Sequence, residues 1–527
     1  MMNLAAGARC SDDQDLIDRL AADLGAADYT VDGVAGLVGG DAYAALERDQ
    51  TVPALLAARA AHRTRAGSRL AAVVLVFLLG EALPAAELDG AFPSVGAAGL
   101  LALGLAEEYD GGLRAAVDLR PYSSDAGGDL WVASDLGSHL RPGVLRTDHV
   151  LGIGRASLTL AQFAARAPVD RALDLGTGCG IQTFHLLAHA RHVTATDISE
   201  RALAVTRFNL LLNAPALGID PEHLDERVSL RLGNLLEPVA GETFGQIVSN
   251  PPFVITPRTA GEAPADQFTY RDGGRAGDDI VSSLIRGLPG VLEPGGTAQL
   301  LGNWEIPEGL AWESRIGGWV PDTADAWVVQ REQLTPTHYA ETWLRDAAEN
   351  RNPDRFAERF GAYLTDFASR SVEHIGFGMV WLRNAAGPAT LRRFEEITHD
   401  LEQPIGPHMS AGVARLDWLG AVGDLSAEHL TVADDVTEER HQRPGAEHPG
   451  VILLRQGAGF RRTTLLSTEL AGFVSACDGD LTAGQIIGAL AALLDRDDEA
   501  FGRDLLEDVS NLVVDGFLLP ASARTSA

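Results

Sequence analysis

Two short stretches constrain this chain more than anything else in it: Asp174-Leu-Gly-Thr-Gly-Cys-Gly180 and Asn250-Pro-Pro-Phe253. Each follows an apolar run of strand type, residues 171–175 and 246–249, and the first is followed by a helical pattern over 181–190. Gly176, Gly178 and Gly180 remove side chains where a strand turns sharply into a helix, so backbone can approach a bound cofactor. A glycine-rich turn alone does not choose among cofactors. The second stretch does more. Pro251 and Pro252 fix backbone torsions and supply carbonyls without competing N–H donors, the Asn250 amide adds an acceptor, and Phe253 adds a flat face. Such a set can accept both hydrogens of a planar –NH2 group while the ring stacks on the attached π-system. Acceptors on those hydrogens favour localising the nitrogen lone pair toward an electrophile, which is stabilisation by preplaced dipoles.

Four segments, 172–180, 193–199, 233–238 and 247–253, together resemble the successive motifs of class I S-adenosylmethionine-dependent methyltransferases. The likeness is to the amino-methylating branch, the HemK-type glutamine methyltransferases of release factors and the rRNA base N-methyltransferases. It covers roughly Val150 to Arg383. It implies an α/β fold with a Rossmann-like core, and S-adenosyl-L-methionine as cofactor. Asp174, Gly176, Thr177, Gly178 and Gly180 are then expected to bind the cofactor. An acidic residue about twenty positions after the glycine turn suits ribose hydroxyls, which gives that place to Asp197, with Ile198 beside it. Asn234 and Leu235 fall at the adenine position. The family commonly has an aspartate there, and the Asn234 amide oxygen can still accept from the adenine amine. Asn250, Pro251, Pro252 and Phe253 are the expected catalytic set, with Asn250 also next to the cofactor.

The resemblance implies N-methylation of a planar nitrogen, most directly a glutamine amide in a protein or peptide. An rRNA or tRNA base amine (adenine N6 or guanine N2) is the second reading and a small-molecule amine the third; a cofactor-binding scaffold without catalysis stands outside them. Phe253 in place of the tyrosine usual in glutamine methyltransferases leans toward the base enzymes. Net charge leans the other way.

That charge is −31, from 73 acidic residues against 42 basic ones, and all the basic ones are arginine. Such acidity argues against an extensive nucleic-acid footprint, and no DNA partner is expected. Cys10, Cys179 and Cys477 are too far apart in sequence to suggest a disulfide framework or zinc cluster. His185, His189 and His192 have suggestive spacing but no carboxylate or cysteine joins them, so no metal is expected. The apolar run Leu70 to Gly80 is too short to span a bilayer, and Asp12, Asp13 and Asp15 stand where an export signal would be positive. A cytoplasmic protein without a membrane segment is expected.

Three domains are expected. Residues 1–147 read as a helical, winged-helix-like domain, with helical character over Ala97 to Tyr109 and a hairpin made from 115–120 and 129–134. Residues 148–384 carry the methyltransferase motifs. Within them, Asp148 to Ala161 forms a strap whose Gly152, Gly154 and Ser157 approach the cofactor. A loop over Thr256 to Asp279 includes Tyr270-Arg-Asp-Gly-Gly274, with Arg258, Arg271 and Arg275 available to steer a substrate, and a helical insert spans about Pro336 to Ser371. Residues 385–527 read as a second winged-helix-like module, with a charged linker at about Asp434 to Pro449. The flanking domains suit docking of a protein or RNA substrate, or dimer contacts.

Overall fold

A computed structural model describes residues 10–521 except 65–68, 125–127, 138–139, 142–145, 147, 259–271, 347–351 and 497–498. The chain forms two compact units, residues 1–161 with 167–397 and residues 162–166 with 398–527.

The first unit opens with helices Gln14–Ala26, Val31–Val38, Gly40–Leu46, Val52–Thr64, Arg69–Val73, Ala85–Ala91 and Gly96–Ala102. The apolar run at 70–80 is a buried helix, as its composition suggests, and it widens into a π-turn over Val74–Leu78. Helical character does not continue to Tyr109. Gly104 takes a left-handed φ of 73°, which ends the helix, and Ala106–Tyr109 is a strand. This strand, β1, pairs antiparallel with β2 (Gly112–Ala115), and β3 (Asp118–Ser123) pairs with β4 (Asp129–Ser134).

The central sheet follows. Its strands are β5 (Val169–Leu175), β6 (Ala190–Asp197), β7 (Val228–Leu232), β8 (Phe244–Ser249), β9 (Leu292–Pro307), β10 (Ala324–Leu334), β11 (Val372–Asn384) and β12 (Arg392–Glu396). The spatial order is β7-β6-β5-β8-β9-β11-β10-β12. β7 through β9 run parallel, β11 runs antiparallel to both β9 and β10, and β12 is parallel to β10. Ala172 to Leu175 and Val193 to Thr196 are buried without alternation, because helices cover both faces of a parallel sheet. Strand order reverses at β5, and the crevice at the carboxyl ends of β5 and β8 is where such sheets bind ligands. This is the class I methyltransferase topology with one added edge strand. The core pattern therefore runs past residue 384, because β12 completes the sheet. Its Arg-Arg-Phe-Glu-Glu sequence hides the strand: charge is tolerated on an edge.

Between β10 and β11, helices Pro336–Asp346 and Pro353–Ser369 form the expected insert. They carry their own aromatic cluster, in which Tyr339, Tyr363 and Phe367 pack with Ile255.

In the second unit, helix Gly406–Ala421 precedes β13 (His429–Val432), β14 (Val436–His441), β15 (Val451–Gln456) and β16 (Thr463–Leu466). The succession then runs helix Thr468–Ser475, β17 (Asp478–Thr482), helices Ala483–Leu493 and Glu499–Asp515, and β18 (Leu518–Pro520). The sheets have orders β17-β13-β18 and β14-β15-β16, around a core that includes Leu430, Phe473, Val509 and Phe517. The stretch expected as a charged linker contains β14, which pairs antiparallel with β15. Thr437, Glu438, Arg440 and His441 are half-exposed or exposed on an edge strand, where their charge costs little. Among the described residues no single helix is long and apolar enough to cross a membrane.

Candidate active site

β5 ends at Leu175, and the chain turns through Gly176, Gly178 and Gly180 with φ of 80°, 56° and 90°. A Cβ on Gly176 or Gly178 would meet nothing within 4 Å, so these two glycines are required by backbone conformation and leave open space beside the loop. A Cβ on Gly180 would press to 3.0 Å against Thr206. Among the loop's amides, Gly176 and Thr177 N–H both donate to the Thr196 carbonyl at 2.9 Å, and Gly178 N–H donates to Asp197 Oδ2 at 3.0 Å.

Beneath the loop, Asp174 is fully buried. Its Oδ2 accepts from the hydroxyls of Thr177 (2.8 Å) and Thr183 (2.7 Å), and its Oδ1 has no partner. Burial pushes this carboxyl up to about 6, against the pull of the Thr183 and Thr177 hydroxyls. Asp197, at the end of β6, is also raised by burial; its other oxygen accepts Ser199 N–H at 2.9 Å.

One cavity of about 240 Å³ gathers most of the expected residues. Gly176, Thr177 and Gly178 line it with Asp197 and Ile198, and from the end of β7 come Asn234 and Leu235. Leu235 has φ of 47°, a left-handed backbone that a branched side chain rarely adopts, at the point where the chain bends around the cavity. From β8 come Asn250, Pro251 and Pro252. Asp174 and Gly180 stand behind the loop rather than in the wall.

Ser249 Oγ donates to the Leu175 carbonyl at 2.8 Å and ties the ends of β5 and β8 together. The Asn250 side-chain oxygen is buried without a partner, and the Pro251 carbonyl accepts from Phe253 N–H at 2.8 Å. Phe253 is not in the cavity wall. Half-buried, it packs on the apolar core that includes Leu175, Ile247 and Ile280. The reason is local: the short Pro251-to-Phe253 turn and a bridge to Asp272 turn the chain away after Pro252.

The strap supplies Gly152 and Ser157 as expected, and Gly154 lies outside the wall. His149 and Gln182, which the motif reading passed over, are there instead. Gln182 Nε2 donates to the Ser157 carbonyl at 2.7 Å, while Asp135 accepts Val150 N–H at 2.9 Å and pairs with Arg201. Burial lowers the His149 imidazole, favouring its neutral form. Of the loop arginines, Arg275 reaches the wall and Arg258 is paired with Asp272; Tyr270 and Arg271 lie outside the described residues. The three histidines do not converge: His185 meets Tyr122, His189 meets Gln246, and His192 meets Ser229.

The cavity thus has open glycine backbone, the carboxyl group of Asp197 and the unpartnered Asn250 side-chain oxygen, with buried Asp174 behind the loop, and such an acidic, acceptor-rich set fits a cationic nucleoside cofactor. Residues 141–266 match the family model described as the methyltransferase small domain. That segment is a methyltransferase domain of class I. S-adenosylmethionine is the cofactor of this class. Residues 26–116 match a domain of unknown function, DUF7059.

Curated relatives of the methyltransferase segment include the ribosomal protein uL3 glutamine methyltransferase of Bradyrhizobium diazoefficiens, 34% identical over 160 residues, 29% of this chain and 46% of that one. Release factor glutamine methyltransferases of Cereibacter sphaeroides and Moorella thermoacetica are 36% and 39% identical. They cover 26% and 24% of this chain and 48% and 44% of their own. The chain spans just under half the length of these relatives. Among solved structures, an rRNA methylase from Streptococcus thermophilus aligns over 44% of this chain and 99% of its own at 16% identity, with a TM-score of 0.24. That score is too low to argue from.

Proposed function

We propose that this chain transfers a methyl group from S-adenosylmethionine to the side-chain amide nitrogen of a glutamine in a protein substrate. The observation that carries the reading is the Asn250 oxygen, buried and unpartnered in the same cavity as the glycine loop. A buried acceptor left unpaired costs free energy unless something donates to it, and a planar –NH2 group is the donor that fits. The Pro251 carbonyl has one lone pair engaged by Phe253 N–H and a second left for the other amide hydrogen. Pro252 offers the apolar face in the wall, where the sequence suggested Phe253.

Bound here, the cofactor supplies a methyl group activated by a sulfonium. Gly176 to Gly178 would hold its amino-acid end, Asp197 its ribose and Asn234 with Leu235 its adenine. Asn250 and Pro251 orient the acceptor nitrogen and draw its hydrogens, so the lone pair is directed at the methyl carbon. No strong base is needed, because the proton leaves after the nitrogen has become cationic.

The names of the curated relatives, glutamine methyltransferases of uL3 and of release factors, support a protein acceptor. The helix-strand-helix-helix-strand succession of the second unit and the hairpins before residue 135 support winged-helix-like flanks that dock the substrate or a second copy. The test is radiolabelled methyl transfer from S-adenosylmethionine into lysate of a strain lacking this protein, split by protease and by ribonuclease. Label removed only by protease is expected. Label removed only by ribonuclease would replace the amide with a base amine, and no label in any fraction would leave a scaffold.

A further inference from the structure

Helix Glu200–Leu212 leaves the ribose position at Asp197 and runs beneath the glycine loop. Its inner side is apolar apart from Thr206 and Asn209, both fully buried, and Asn213, which caps the helix at 2% exposure. Spacings of three and four place all three on one face. Polar side chains in such a place are costly unless paired, and their partners are specific.

Asn213 Oδ1 accepts from Trp131 N–H at 2.8 Å, and its Nδ2 donates to the Trp131 carbonyl at 2.7 Å. Asn209 repeats the pattern on Ala133, at 2.8 and 2.9 Å. Trp131 and Ala133 lie on the outer edge of β4, whose strand neighbour among the described residues is β3. Two residues of strand advance about 6.7 Å and four of helix about 6 Å, so asparagines at i and i+4 match strand residues at i and i+2. The two amides act as the missing neighbouring strand, satisfying backbone groups that would otherwise be buried unpaired.

Asn213 gives its second Nδ2 hydrogen to the Asn209 carbonyl within the helix at 2.7 Å, whereas Asn209 reaches out to the loop. The second hydrogen of Asn209 Nδ2 goes to the Cys179 carbonyl in the glycine loop at 2.8 Å, and Thr206 Oγ1 donates to the Gly178 carbonyl at 2.9 Å. A single amide therefore holds the edge of the β3–β4 hairpin and the cofactor loop at once.

We propose that the β3–β4 hairpin is part of the frame of the cofactor site, and that Asn209 is the positioning residue that couples the hairpin to the Gly176–Gly180 loop. This rests on the cofactor reading above. It gives the segment before the methyltransferase motifs a role in cofactor binding, alongside any role in docking. Asn213 is a built-in control: it makes the same two bonds to the strand, and its third goes to the Asn209 carbonyl within the helix rather than to the loop.

The experiment measures S-adenosylhomocysteine binding to the full chain by calorimetry, for wild type, Asn209→Leu and Asn213→Leu, with unfolding midpoints of the ligand-free proteins. Both substitutions are expected to lower the midpoint. Only Asn209→Leu is expected to weaken binding, by about tenfold, the scale of one buried hydrogen bond, with Asn213→Leu within about twofold of wild type. Coupling is reciprocal, so in the unmutated protein saturating S-adenosylhomocysteine should slow hydrogen exchange at the Trp131 and Ala133 amides. That measurement stands even where a variant fails to fold. Equal effects of the two substitutions, or no change in exchange on binding, would overturn the inference while leaving the cofactor reading intact. Absence of binding to the wild-type chain would overturn both.

Discussion

On the glycine-loop side of the cavity, the carbonyls of Gly178 and Cys179 accept from Thr206 and Asn209, and the Gly178 amide donates to Asp197. On the Asn250 side the chain is fastened differently. After Pro252 it makes a bridge to Asp272, and two residues further on Ile255 N–H donates to the Tyr339 hydroxyl in the helical insert. The first side is thus fixed by side chains of helix Glu200–Leu212, which follows β6. The second is fixed by the helical insert between β10 and β11. On the proposed function, this contrast means that grip on the cofactor and geometry at the acceptor nitrogen are separately supported, and substitutions should separate them.

The largest separation is expected at Asn250. Asn250→Ala removes the unpartnered acceptor without touching the loop, so methyl transfer should fall by roughly a hundredfold or more, the scale of losing one preplaced group. S-adenosylhomocysteine affinity should stay within about threefold, measured by calorimetry beside a radiolabel assay. Unchanged turnover would break the contrast at its strongest point.

What the sequence made legible follows the same line. Gly176 to Gly180 and Asn250 to Pro252 could be read because their chemistry is local: a left-handed turn demands glycine, and a proline pair fixes its own backbone. β5 and β8 could be read because strands buried on both faces carry near-continuous apolar runs. Arg392–Glu396 and Val436–His441 could not, since edge strands carry charge that resembles a loop. Thr206, Asn209 and Asn213 are polar residues in a helix, which reads as a solvated face until β4 is known to lie against it. Phe253 looked like a stacking platform because nothing in its neighbours tells that the core claims the ring.

A second test probes the loop side alone. Asp174 titrates at about 6 in the folded chain rather than at 3.8, because burial outweighs its two threonine hydroxyls. The folded state holds that proton more tightly than the unfolded one. The stability it contributes is fully present below pH 3.8 and is lost as pH rises through about 6, by at most about 3 kcal/mol. Asp174→Asn removes this titration, so denaturation midpoints of the variant should gain on wild type across that window and run parallel to it above. A constant difference at all pH would show that the carboxylate stays ionised under the loop.

The smallest effect is expected at Tyr339, where the other side is hung. Its ring is fully buried among Tyr363, Phe367 and Phe377, and its hydroxyl accepts from both Ile255 N–H and Asn303 Nδ2 at 2.8 Å. Tyr339→Phe keeps the aromatic packing and strips two buried donors of their acceptor, a loss of about 1–2 kcal/mol in stability. A purely structural residue would do no more than that. If the insert sets the acceptor geometry, methyl transfer should also fall several-fold at saturating cofactor, with S-adenosylhomocysteine affinity unchanged and faster hydrogen exchange at the Ile255 amide. Equal losses in transfer and in cofactor affinity would mean that the two sides of the cavity move together, and the contrast between them would not hold.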